Sequence, residues 1–142
     1  LLSSVGNLIP KIAKVKTLKD CTEIFSVAPS EYWSTHYTFG KASKPRGKAL
    51  GEKSVERIAA NFVAPMLFAY GKNRSQQPLC EAAVDLLEQI APEQNAQVEG
   101  WQSMGVKPQS MLESQALLQL KGAYCDRKKC LQCTIGKQIL QS

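Results

Sequence analysis

The sequence predicts an all-α fold: a single compact domain of about five to seven helices joined by long loops, with any strand short and local. Two observations carry this. Apolar residues repeat at helical rather than alternating intervals in most of the chain, most clearly at Leu79, Ala83, Leu86, Leu87 and Ile90. Helix-start chemistry stands directly before such stripes, as at Thr17 and at Ser110-Met-Leu-Glu113. The length of 142 residues suits one domain spanning 1–142, with enough chain to bury a core.

In chain order, Leu1, Leu2, Val5, Leu8, Ile9, Ile12 and Val15 form a near-helical stripe that Pro10 should break or kink. Thr17 should cap a short helix to Phe25 that places Cys21 in the core, and Pro29 and Ser30 end it. Glu31 to Gly40 is the densest aromatic stretch and holds the only histidine, His36. Its spacing fits a helix or an extended segment, and its expected role is a packing hinge over the core.

Gly40 to Gly51 reads as a glycine-rich basic loop, followed by a helix from a Ser54 cap to about Tyr70 with Pro65 inside it. Such a loop before a helix N-terminus can hold phosphate, although these glycines lack a Walker spacing. Gly71 and Asn73 should stop that helix and Ser75 open the next, which Pro92 ends. Cys80 lies beside its apolar stripe as a core or boundary residue. A short helix should follow over 93–104, with Val98, Trp101 and Met104 inward and Gly105 closing it. The helix from Ser110 should bury Leu112, Ala116, Leu117, Leu120, Ala123 and Tyr124 and deliver Cys125, and Ile135 to Leu140 should pack back on the domain.

Charge is unevenly spread within the net +6. Lys41, Lys44, Arg46, Lys48, Lys53 and Arg57 outweigh two acids in residues 41–57, and Lys121, Arg127, Lys128, Lys129 and Lys137 outweigh Asp126 in residues 121–137. Residues 75–113 are acidic. The basic segments, and Lys41, Lys44, Arg46, Lys48, Lys53, Arg57, Arg127, Lys128 and Lys129 in particular, are candidate contacts for phosphate or nucleic acid; a solvated surface is the plainer reading.

The strongest chemical signal is Cys125-x4-Cys130-x2-Cys133, which holds three of the five cysteines. Thiolates at this spacing can reach one centre, and the two-residue gap suits zinc or iron–sulfur ligation. The neighbouring cations would offset the negative charge of such a site. A structural zinc takes four ligands, so one more is needed, with His36 the first choice ahead of Cys80 and Cys21. Unmetallated thiols or a Cys130/Cys133 redox pair are the alternatives. An odd cysteine count without a secretory signal fits a reducing, cytoplasmic setting, and no apolar run is long enough to cross a membrane. No nucleophile–base or paired-carboxylate arrangement stands out, so catalysis is not expected of this stretch.

Four segments carry a resemblance: Glu31-Tyr-Trp-x-x-His-Tyr-x-Phe-Gly, Asn61-Phe-Val-x-Pro-x-Leu-Phe-Ala-Tyr-Gly, Ser114-Gln-Ala-Leu-x-Gln-Leu-Lys, and Tyr124-Cys-Asp-x-Lys-Lys-Cys-Leu-x-Cys-x-Ile-Gly. Together they resemble the C-terminal part of a bacterial family of unknown function, number 2851. The resemblance matches His36, Cys125, Cys130 and Cys133 to its pattern and leaves Cys21 and Cys80 outside. It implies a two-part intracellular protein whose larger N-terminal portion is the expected partner and the place for any active site. Beginning at Leu1 rather than methionine, the chain is expected to be a C-terminal fragment of such a protein.

Overall fold

A computed structural model describes residues 8–26, 30–44 and 50–141. The expectations placed on Leu1, Leu2, Val5, Pro29, Pro45, Arg46, Gly47 and Lys48 fall outside those residues. The regular structure of the described residues is helical apart from one two-stranded hairpin, as the apolar periodicity predicts. It divides into two compact units, Leu1–Leu86 and Leu87–Ser142.

In the first unit, α1 (Leu8–Ile12) carries Pro10 in its first turn, where a missing N–H costs nothing. α2 (Leu18–Phe25) opens on a reciprocal cap. The Thr17 hydroxyl accepts from the Asp20 N–H at 3.2 Å, and the Asp20 carboxylate accepts from the Thr17 and Lys16 N–H groups at 2.9 Å. Those two backbone donors hold the Asp20 carboxyl below its ordinary value. α3 (Glu31–Thr35) runs directly into the hairpin of β1 (His36–Thr38) and β2 (Lys41–Ala42), so the aromatic stretch is helix first and strand second. The strands pair antiparallel, His36 opposite Ala42 and Thr38 opposite Lys41. Gly40 turns the chain at φ +73°, a conformation few side chains tolerate.

α4 (Glu52–Ile58) begins after Gly51, not after a Ser54 cap; it continues without interruption through a π-helical turn at Ala59–Val63 into α5 (Ala64–Asn73). Pro65 lacks the N–H that would bond Asn61 in a regular helix, and the wider turn lies immediately before it. The expected kink is therefore a π-helical bulge. α6 (Gln77–Glu88) starts two residues later than expected, because Ser75 sits at φ 53° in the turn that closes α5. α2 packs on α4 and the π-helical turn. Ile12, Val15, Cys21, Val55, Ala59, Val63, Leu67, Cys80 and Leu86 are buried. Gly71 permits α5 to approach α6 closely: a Cβ there would lie 2.8 Å from the Cys80 sulfur and 3.0 Å from the Gln76 carbonyl oxygen.

In the second unit, Asn95 caps α7 (Ala96–Ser103) by accepting from the Gln97 and Val98 N–H groups at 3.0 Å. Gly105, at φ +90°, closes it. Val98 is buried and Trp101 half-buried, but Met104 is exposed, because the helix ends before its position turns inward. α8 (Met111–Leu120) is capped by the Ser110 hydroxyl on the Glu113 N–H, and the Glu113 carboxylate reaches back to the Gln109 N–H. Its fully buried residue is Ser114, whose hydroxyl donates to the Met111 carbonyl and accepts from the Glu93 N–H. Of the apolar face expected here, Leu112, Leu117, Leu120 and Ala123 are half-buried, whereas Ala116 and Tyr124 are exposed. No helix among the described residues is long and apolar enough to cross a membrane.

Candidate functional site

The cysteine segment is built by a change of helical pitch. α8 passes directly into a π-helical turn at Lys121–Cys125, and the Asp126 N–H bonds the Lys121 carbonyl at 2.9 Å. Wider turns of this kind recur at functional sites. The Lys121 ammonium meets the Asp126 carboxylate at 2.6 Å across the same span, although both are partly in water and the pair adds little stability. The chain then reverses. The Lys128 N–H bonds the Cys125 carbonyl, the Lys129 N–H bonds the Tyr124 carbonyl, and Lys128 adopts a left-handed φ of 52°.

Cys130–Gln132 forms one 3₁₀ turn, closed by the Cys133 N–H on the Cys130 carbonyl at 3.1 Å. This single tight turn spans the two-residue gap between the two cysteines. α9 (Thr134–Gln141) starts at once, with the Lys137 N–H bonding the Cys133 carbonyl. Its Gly136 lies against the Cys130 backbone: a Cβ there would collide with the Cys130 carbonyl oxygen and lie 3.0 Å from the carbonyl carbon and Cα. Sequence reading gave Gly136 no role. The signal was a glycine in the middle of an otherwise apolar helical stripe.

The three thiols line one apolar cavity of about 250 Å³, shared with Trp101, Leu120 and Ile135. Cys125 and Cys130 are exposed and Cys133 is buried. Among the described residues, no group of three or more His, Cys, Asp or Glu side chains is arranged to hold a metal ion. The thiols thus share a wall without converging on one centre. Trp101 carries a buried indole N–H with no acceptor among the described residues.

His36 belongs to the first unit and the thiols to the second. Its ring stacks on Tyr32 with centroids 4.1 Å apart and planes 7° from parallel. Nδ1 lies 2.9 Å from the Tyr32 carbonyl and 3.0 Å from the Thr35 hydroxyl. A carbonyl can only accept, so the neutral ring carries its proton on Nδ1, which makes Nε2 the basic nitrogen.

The other cysteines are core residues, as expected. Cys80 is buried and its thiol faces the Phe68 carbonyl at 3.7 Å. Cys21 is fully buried, and desolvation, with a smaller contribution from the Asp20 charge, pushes its thiol from 9.0 to about 11. Between those values the unfolded chain sheds a proton that the folded chain keeps. Stability linked to Cys21 is therefore complete below pH 9 and lost as pH rises toward 11. Denaturant titrations across that range are expected to show a falling midpoint, with a smaller fall in Cys21→Ala. Thiol exposure gives a second expectation: brief alkylation of the native protein, read by mass spectrometry, should mark Cys125 and Cys130 and spare Cys21 and Cys80.

Of the basic candidates, Lys41, Lys44, Lys53, Arg57, Arg127, Lys128 and Lys129 are all exposed, while Arg46 and Lys48 lie outside the described residues.

A family model described as Protein of unknown function (DUF2851) matches residues 1–96, more than half of the chain. The matched residues include His36 and stop before the cysteine segment. No curated protein and no solved structure matches the chain. The chain belongs to the DUF2851 family.

Proposed function

We propose that this family member is a non-catalytic accessory domain of the cytoplasm, with a structural metal site at its C-terminus and basic surface segments that contact nucleic acid. Cys125, Cys130 and Cys133 supply three thiolates to a zinc ion, which takes one further ligand from outside this segment. The observation that carries this reading is the single cavity onto which all three thiols open. The Cys130–Cys133 turn and the cationic loop Arg127–Lys129 support it further. The same thiols suit an iron–sulfur cluster, which would make the domain part of a redox enzyme. Five unpaired cysteines suit a reducing compartment.

Cobalt(II) titration tests the site, because thiolate-bound cobalt absorbs in the near ultraviolet and a tetrahedral site adds visible bands. The expected result is saturable absorbance in the full chain, lost in Cys130→Ser. Absorbance that is absent, or the same in both proteins, overturns the metal reading.

One observation favours a second reading, a metal-free interaction domain. Leu131, Ile135, Ile139 and Leu140 are all exposed on and beside α9, an apolar surface suited to a protein partner. Absence of cobalt binding favours this alternative.

A further inference from the structure

The aromatic stretch is not the packing hinge its composition predicts. Phe39, at the tip of the β1–β2 hairpin, is 82 % exposed, and Tyr37 is 61 % exposed. The hairpin beneath them is held in place. The Tyr32 hydroxyl accepts from the Gly40 N–H at 3.1 Å, and Ser43 bonds the Thr35 carbonyl through its N–H at 2.6 Å and its hydroxyl at 2.9 Å. Trp33 braces Phe39 edge-on, with ring centroids 4.9 Å apart at 68°. The Phe39 ring is therefore fixed at little entropic cost while most of its surface faces water.

Two cations follow it closely in the chain. Lys41 lies opposite Thr38 in the strand pair, and Lys44 follows β2; both are exposed. A braced aromatic ring beside ammonium groups is the pattern that takes an unpaired base on the ring and its phosphates on the lysines. Duplexes hide their base faces, so the chemistry selects single strands. An acidic protein would satisfy the lysines but has no general need of a ring left open to stacking.

We infer that the β1–β2 hairpin is a single-strand nucleic-acid contact in which Phe39, flanked by Tyr37, stacks on bases and Lys41 and Lys44 hold the phosphates. This rests on the nucleic-acid half of the function proposed above, and adds the residues and the strand form.

The test is fluorescence anisotropy of the full chain with a labelled oligothymidylate, a duplex of equal length, and polyglutamate as competitor, over a salt series. The expected result is preference for the single strand. Phe39→Ala should weaken it about 5- to 150-fold, the range that one stacked base supplies, with the salt slope unchanged. Phe39→Trp should keep the affinity, which separates stacking from damage to the hairpin. Lys41→Ala and Lys44→Ala should each lower the salt slope by about one phosphate. Salt-dependent binding that ignores Phe39→Ala, or that favours duplex or polyglutamate, overturns the stacking inference and leaves a plain polyanion surface. No binding to any nucleic acid overturns both.

Discussion

Gly136→Ala is expected to destabilise the second unit by about 1–3 kcal/mol, the usual cost of forcing extra volume into a packed contact. The change removes a helix-interior glycine, which alone would stabilise α9 by about 1 kcal/mol. Overlap wins because the atoms in the way are the Cys130 carbonyl and Cα, which belong to backbone and cannot swing aside as a side-chain tip can. Either the 3₁₀ turn or the first turn of α9 must move, and both hold Cys133. Thermal unfolding should show the loss, and Cys133 should become more reactive to alkylation than in the parent. Parent-like stability together with a parent-like Cys133 would show that α9 does not lie so close to the cysteine turn.

The largest expected effect in the first unit is at Leu67, a fully buried side chain of α5. Leu67→Ala should cost about 2–5 kcal/mol, the sum of lost apolar transfer and the cavity left behind. Relaxation should be limited, since the same continuous helix carries alanines at the buried positions 59, 60 and 64, which have no long side chains to lean into a gap. The measurement is the urea midpoint, with an unchanged slope expected if the unfolded state is unaffected. A midpoint shift equivalent to less than about 1 kcal/mol would place Leu67 outside the core.

Much of the fold was legible because it depends on neighbours in sequence. The Thr17 cap needs only Asp20, three residues on, and the α6 stripe from Leu79 to Ile90 needs only its own periodicity. What escaped depends on contacts across the fold. Glycine at 136 matters because Cys130 lies against it, and Phe39 stands exposed at a hairpin tip with its ring beside those of Trp33 and Tyr32. Met104 fits a helical stripe by spacing but falls beyond the end of α7. The π-helical turns at Ala59–Val63 and Lys121–Cys125 leave no local pattern, although Pro65 marked the first as irregular.

The candidate site divides the same way. Crowding of Cys125, Cys130 and Cys133 could be read from spacing, and all three open on one cavity. A fourth ligand cannot be read from spacing at all, since it depends on contacts across the fold.

Elemental analysis of the full chain, freshly purified without chelator, tests the central claim most directly. Stoichiometric zinc in the parent, largely lost in Cys130→Ser, is the expected result. A trace metal content that is the same in the parent and in Cys130→Ser would contradict it.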